Sequence, residues 1–549
     1  MYKRILLLVT VFGAIRDSEN GNTDTVRAIL PQGLLTQAVV MPSLSRSGNL
    51  RGQWALTSNN TLTFNADYQH INNRNQGIGG FNLPERAWSR KGQNTEYQVR
   101  DTAILTDRLV HEIRFSHRRD YAHTLPDTSA TSINVLDTFY SGGAQNDSIN
   151  DDRTLEVWDM WMYSTGVWNF KSGVQVLRRL NHNVNYNNFG GTYTFSTLAD
   201  YMAGRPVTFS INEGNPFLVD SQIELGTFFQ SDWKVTNTLD VTIGLRYEAQ
   251  GNIRDDNNID PRIGFAYQTS QRTVIRGGGG VFHARLPQNN VDQLLRFDGT
   301  HQRQIVIQFP SFPDPFVDGS SATSTPISLR ERSPNLVTPY TMNVSVSLEQ
   351  SLRHGIGLTL SWDAIRGVHL YRSRDINAPL PGSFERPISS EGNLYQLEST
   401  GTSRSNNFTV GFKETLRSKR NLNLFANYTL GWNYNDTDGS FALPANNYDL
   451  RSEWGRAPSD QRHRFVAGVN VRSFWNVNVN TNIQASSNRP YNITTGFDDN
   501  HDTNTNDRPA GARRNTGIGP DLFNANVSLQ KTVRLRPKSR RRILRRRPR

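Results

Sequence analysis

From Gln222 to Ala249 the chain alternates between apolar and polar positions. Ile223, Leu225, Phe229, Trp233 and Val235 share one parity, and Gln222, Glu224, Gln230, Asp232 and Lys234 share the other. After Thr236-Asn237-Thr238 the alternation resumes, with Leu239, Val241, Ile243, Leu245 and Tyr247 set against Asp240, Thr242, Arg246 and Glu248. Successive side chains of an extended strand point to opposite faces, so a sustained period of two predicts two strands. The short polar break makes them a hairpin. Each arm is about a dozen residues, longer than the usual five or six or so, and strands of roughly 9–11 residues are what a tilted bilayer crossing needs. In a soluble sandwich the apolar face would be core; in a membrane barrel it would meet lipid, with the polar face toward the lumen.

The same pattern recurs along the chain. Trp54 and Leu56 lead through Ser58-Asn59-Asn60 to Leu62, Phe64, Ala66 and Tyr68. Further tight breaks stand at Thr106-Asp107-Arg108, Tyr163-Ser164-Thr165, Ser270-Gln271, Arg417-Ser418-Lys419-Arg420 and Ser473-Phe474-Trp475-Asn476. Between them run long polar segments, 71–95, 120–152, 179–221, 285–338, 372–393, 435–462 and 488–521, with one short helical stretch expected at 197–204. Short turns alternating with long loops are the habit of outer-membrane barrels, the turns facing the periplasm and the loops the exterior. The expectation is an all-β fold: one antiparallel transmembrane β-barrel of about 18 strands over residues 1–535. An open sheet of that size is disfavoured, since twisted sheets rarely exceed about ten strands, and closure removes edges that lipid cannot satisfy. No repeat at a propeller period of about 40–50 residues is visible.

Composition permits this. Only 36% of the 549 residues are hydrophobic, which a barrel tolerates because every second strand residue avoids lipid. Aromatic residues make up 10%, and Trp and Tyr suit the two membrane interfaces. The absence of cysteine excludes disulfides and thiolate metal sites. The formal charge of +12 is concentrated in residues 534–549, which carry ten Lys/Arg and no acid, leaving 12 − 10 = +2 for the rest. The body therefore has no nucleic-acid footprint, and no nucleic-acid partner is expected. The Arg-rich tail, 536–549, reads as a disordered terminus or as a grip on phosphates or anionic lipid. The apolar run Ile5 to Ile15 after Lys3-Arg4 is too short for a spanning helix. It reads either as a first barrel strand or as a signal-like segment, with residues up to 49 left as strand or loop.

Several blocks, in order, resemble the barrel of TonB-dependent receptors, particularly the Oar-like group that often carries an N-terminal carboxypeptidase-regulatory-like domain. They include ELGTFFQSDWKVTNTLDVTIGLRYEAQ (224–250), NNIDPRIGFAYQ (257–268), TVIRGGGGVFHAR (273–285), PANNYDLRSEWGRAPSDQRHRF (444–465) and SSNRPYNITTGFDDNHDTNTNDRP (486–509). The resemblance implies a bacterial outer-membrane receptor of about 22 strands, capturing a small ligand with its loops. Passage through the lumen would be driven by an inner-membrane energy-coupling complex acting on a plug. No plug-like region, coupling box or regulatory domain is recognisable in this sequence, so the chain reads as a fragment of such a receptor. Two other readings stay open: a passive or adhesive surface barrel, and a soluble all-β binding protein with a basic, nucleic-acid-adhering tail.

Candidate chemistry is sparse. Asp498, Asn500, Asp502, Asn504 and Asn506 form an odd-spaced oxygen ladder of the kind that calcium loops use. Thr503 stands where an EF-hand needs glycine and Pro509 where it needs a bidentate glutamate, so the alternative is a polar loop held by Asx-turns. Asp498, Asn500 and Asp502 are the candidate calcium ligands, and no other cofactor is expected. Gly277 to Gly280 lack the Gly-Lys-Ser/Thr of a phosphate loop and sit inside a strand pattern. His111 and His117 share a strand face but lie about 20 Å apart at roughly 3.3 Å per residue, too far for one metal. His463 is expected to make an interfacial or lumen hydrogen bond, and Asp436-Thr437-Asp438-Gly439 a loop turn. With no nucleophile elbow or zinc-protease motif, an enzyme is not expected.

Overall fold

The computed structural model describes residues 9–317, 327–416, 422–472 and 477–531. The turns expected at 417–420 and 473–476, the first residues of the 5–15 run and the Arg-rich tail 536–549 lie outside them. One sheet contains 25 strands. Seven are short pieces inside the long loops, and the other 18 form the wall, the number the alternation predicts. Each wall strand pairs antiparallel with the next in chain order, from Val9–Leu30 against Gly33–Ala55 to Val477–Ser486 against Leu522–Lys531. Among the described residues no ladder joins Val9–Leu30 to Leu522–Lys531. Apart from the turn at 31–32, which lies at the loop end, tight turns gather at one end of the wall and long loops at the other.

The register keeps like with like. Phe229 faces Leu245, Trp233 faces Val241, and Ile243 faces Leu245's neighbour strand at Ile263. These residues form an outward belt: Ile223 is 57% exposed, Phe229 51% and Ile263 59%. Inward-facing Gln222 and Glu224 are only 1% and 2% exposed. On the lumen side Glu156 accepts from Arg114 at 3.2 Å and Gln175 at 2.6 Å, and Arg246 pairs with Glu248 at 2.6 Å. Polar groups inside and large apolar groups outside invert the order of a water-soluble protein. Leaving a large side chain exposed to water forgoes about 1.5–3 kcal/mol, so a belt of them is stable only against acyl chains. At the tight-turn end Trp168 stacks on Trp233 at 4.8 Å, and Phe170 on Phe229 at 5.9 Å. Amphipathic rings gathered at one level mark a membrane interface.

Strands run further than the apolar alternation does. The segment 71–95 was expected to be loop, yet Asn60–Gln76 and Trp88–Thr106 continue their ladder through Gln69↔Asn94 and Asn72↔Lys91. Likewise Leu109–Pro126, Ser148–Thr165 and Trp168–Asn185 extend into the expected loops 120–152 and 179–221. Residues 16–49 belong to one long hairpin turning at 31–32. Above the lipid belt both faces of a strand are polar, so the period-two signal disappears while the backbone bonds persist.

The long loops fold on one another. Ser132–Val135, Phe139–Ser141, Thr192–Phe195, Thr208–Gly214, Gln302–Gln308 and Ile327–Arg332 form a cap sheet with both parallel and antiparallel pairs. One face, with Tyr193, Phe195, Phe209 and Phe139, packs on Val26 and Ala28 from the first hairpin. Ile327–Arg332 also pairs parallel with wall residues Leu394 to Leu397, tying cap to wall. The helical stretch expected at 197–204 is Leu198–Met202, capped by the Thr197 hydroxyl, which accepts from the Asp200 N–H at 3.1 Å. Among its described residues the proline-rich insert 285–338 gives helix Gln288–Arg296 and two cap strands, and no strand of the wall.

Candidate functional site

Loops 376–393, 436–462 and 487–521 meet above the wall around a cavity of about 590 Å³. Its lining includes Pro379 to Phe384 from the first loop, Asn446 to Tyr448 from the second, and Asn500 to Asp502 with Asp507 to Ala512 from the third. Polar side chains, most of them buried, hold the three loops. Arg508 grips Glu453 through both guanidinium nitrogens, at 3.0 and 2.5 Å, the bidentate fork that fixes geometry as well as energy. The Tyr448 hydroxyl donates to the Ala378 carbonyl at 2.6 Å. Fully buried Asn377 donates to the carbonyls of Ile388, Glu391 and Gly392. Arg372, 3% exposed, pairs with Asp436 at 2.7 Å, so the expected turn at 436–439 carries a buried ion pair as well.

The oxygen ladder borders this cavity. Asp502 accepts from the side-chain amides of Asn447 at 2.7 Å and Asn504 at 3.1 Å, and from the Asn504 N–H at 2.9 Å. Asp498 accepts from Gln308 at 2.7 Å and from the Thr503 N–H at 2.9 Å, while its Oδ1 is buried and unpartnered. Asn500 accepts from the Asp502 N–H and donates to the Ala445 carbonyl. Burial pushes the Asp498 and Asp502 carboxyls up to about 6, and Asp507 also upward. Among the described residues, no three His, Cys, Asp or Glu side chains stand together as a metal-binding group.

A second polar centre sits in the mouth of the wall. Helix Gln288–Arg296 lies there, its Arg296 donating to the Pro216 carbonyl at 2.9 Å and to Asn183 at 2.5 Å. Asp292 accepts from Asn181 at 2.9 Å and Gln288 at 3.2 Å, and Gln288 also donates to Asp220. Burial first, and then the neighbouring Asp220 carboxylate, raise Asp292 to about 7.

The remaining sequence candidates are structural. His111 bonds Asp159 at 2.8 Å, and His463 bonds the Tyr428 hydroxyl at 2.8 Å. Gly277 to Gly280 lie within the wall strand Thr273–His283, where the Phe265 ring covers the space a Gly277 Cβ would fill. Sequence reasoning missed Arg330, Arg372 and Asp292. All three sit in loops or strand extensions where no period marks them, and their partners lie far away in the chain.

Comparison with known proteins agrees with this architecture. No curated protein matches the chain in sequence. Among solved structures it is similar to the outer membrane transporter YddB from Escherichia coli, at 11% identity and a TM-score of 0.60, over 88% of this chain and 62% of that one. It is similar to a mutant of the ferric enterobactin receptor PfeA from Pseudomonas aeruginosa, at 12% identity and TM-score 0.56, over 95% and 67%. It is also similar to the siderophore receptor PirA from Acinetobacter baumannii, at 10% identity and TM-score 0.56, over 89% and 64%. The chain thus spans about two thirds of the length of these proteins or slightly less. The family model described as outer membrane beta barrel domain matches residues 32–259 and 251–512. With nearly the whole wall and its loops inside those two spans, the chain belongs to the outer membrane beta barrel domain family.

Proposed function

We propose that the chain is the translocation barrel of a TonB-dependent receptor of the Oar-like type, capturing a small ligand at the cap and passing it through the lumen. The observation that carries this reading is the open cavity of about 590 Å³ bordered by three long loops over a polar-lined wall. Binding residues concentrate on loops held by a rigid scaffold, and a site of this size falls in the range of roughly 300–1,000 Å³ used for small ligands. The sequence blocks at 224–285 and 444–509 support the Oar-like assignment. Energy input would come from an inner-membrane complex acting on a plug encoded with the barrel, which flanking DNA in the same reading frame would reveal. The barrel has no catalytic role in this reading.

The test is binding followed by uptake. The detergent-solubilised chain is titrated with a panel of ferric siderophores, the class named for two of its structural neighbours. Saturable binding, weakened by Arg508→Ala, is expected, with uptake into cells that stops when the proton-motive force is collapsed. Uptake that persists without that force would favour a passive barrel. Absence of binding across the panel would count against the receptor reading.

Calcium at Asp498, Asn500 and Asp502 is the second occupant considered at this corner. The buried, unpartnered Oδ1 of Asp498 favours it. The amide donors already on Asp502 weigh against it.

A further inference from the structure

Beneath the cap sheet Arg330 stands among three aromatic rings. Its guanidinium carbon lies 5.6 Å from the centroid of Phe297, 5.4 Å from that of Tyr395 and 5.1 Å from that of Phe441. Rings at this distance attract a cation. The rings attract the cation without taking hydrogen bonds from its five N–H donors, which stand in a fixed fork. Among the described residues, no carboxylate pairs with Arg330 and no side-chain acceptor takes a hydrogen bond from it. Arg330 instead lines a cavity of about 240 Å³.

The rest of that lining is neutral. Thr208, Ser210, Gln304, Thr503 and Asn504 supply hydroxyls and amides, and no Asp or Glu reaches it. The first three come from the polar face of the cap sheet, where Ser210 stands opposite Val306 and Asn212 opposite Gln304. Asp502, adjacent in sequence, is committed to Asn447 and Asn504. Arg330 is partly buried, and burial lowers its pKa, so a cation held there without a counter-charge costs free energy. A neutral polar shell cannot supply that charge, so an anion entering the cavity would gain both the Coulomb term and charge-assisted hydrogen bonds.

We propose that Arg330 anchors a subsite for an oxyanion, a carboxylate or phosphate group, with Thr208, Ser210 and Gln304 hydrogen-bonding around it. The volume suits one such group, either free or as the anionic end of a larger ligand reaching in from the cap. This deepens the receptor reading, since it assigns the captured ligand a negative charge. Anion binding is measured on the purified chain without uptake, so the two ideas fail separately.

The experiment titrates the detergent-solubilised chain with inorganic phosphate and, separately, with citrate, at constant ionic strength in chloride. Saturable binding of either is expected, weakened at least tenfold in Arg330→Met. Phosphate binding marks a site for the free anion; citrate binding alone marks a site for a carboxylate ligand. Should Arg330→Met fold poorly, Ser210→Phe fills the cavity while keeping the arginine, and the same loss is expected. No binding of either probe to the wild-type chain, or binding untouched by both substitutions, overturns the proposal.

Discussion

Ile263→Lys tests what the outward face touches. Ile263 sits in the strand Asn258–Ser270, opposite Ile243, and is 59% exposed on the belt side. It lies five residues from one end of the strand and seven from the other. At roughly 3.3 Å per residue and a tilt near 40°, that places it about 13 Å and about 18 Å below the two ends, close to the middle of an apolar band about 25 Å tall. On a water-exposed surface such a change costs within about 0.5 kcal/mol. At the midplane of a bilayer a lysine on the lipid face costs about 2–4 kcal/mol. Gln268→Lys, on the opposite face near the tight-turn end, is the control and should stay within about 0.5 kcal/mol. The assay is equilibrium folding into phosphatidylcholine vesicles under a guanidinium titration, read by tryptophan fluorescence with the slope compared between variants. An Ile263→Lys cost indistinguishable from the control would refute the assignment of that face to lipid.

Other expectations follow from the polar centres. Asp292 has a folded-state pKa of about 7 against an ordinary 3.8, so the docked helix is favoured by protonation. That stabilisation is fully present below about pH 4 and is lost as pH rises to about 7, by about 2–4 kcal/mol across the interval. Amide exchange in Gln288–Arg296, corrected for intrinsic rates, should therefore speed up over this range in the wild type and stay flat in Asp292→Asn. Asp436→Leu leaves buried Arg372 without its counter-charge and should cost about 3–5 kcal/mol in vesicle unfolding. Adding Arg372→Leu should recover most of that loss, and a double variant as unstable as the single would contradict the pairing. Calorimetric titration with calcium decides the ladder's occupancy. Heat of binding at or below millimolar calcium that Asp498→Asn abolishes supports a cation there, and none supports a knot held only by amide donors.

The wall was legible because lipid imposes a period. Ile223, Leu225 and Phe229 must all point one way, and the tight breaks at 107, 164–165 and 271 are too short to be anything but turns. The strand count follows from that signal alone, and it also predicts strands at 394–416, 463–473 and 477–487, where the wall has Leu394–Leu416, His463–Arg472 and Val477–Ser486. It fails where the lipid ends: Gln93, Asn94 and Glu96 are as extended as Leu62, but with water or cap on both sides they carry no apolar parity. The cap was illegible for a different reason. Many of its contacts join residues far apart in the chain, such as Arg372 with Asp436, Arg330 with Phe441, and Gln308 with Asp498. The ladder at 498–506 was visible as spacing. Spacing alone could not say that Asn447, from another loop, would donate to Asp502.

The parallel ladder between Ile327–Arg332 and Leu394 to Leu397 makes the exterior segments mechanically continuous with the shaft beneath them. A lid stitched to its vessel does not lift one flap at a time. Displacing any one of these segments would strain the segments paired with it. In such a vessel side chains can be exchanged within a fixed frame, whereas lengthening any single flap would unpick the seams that hold the others.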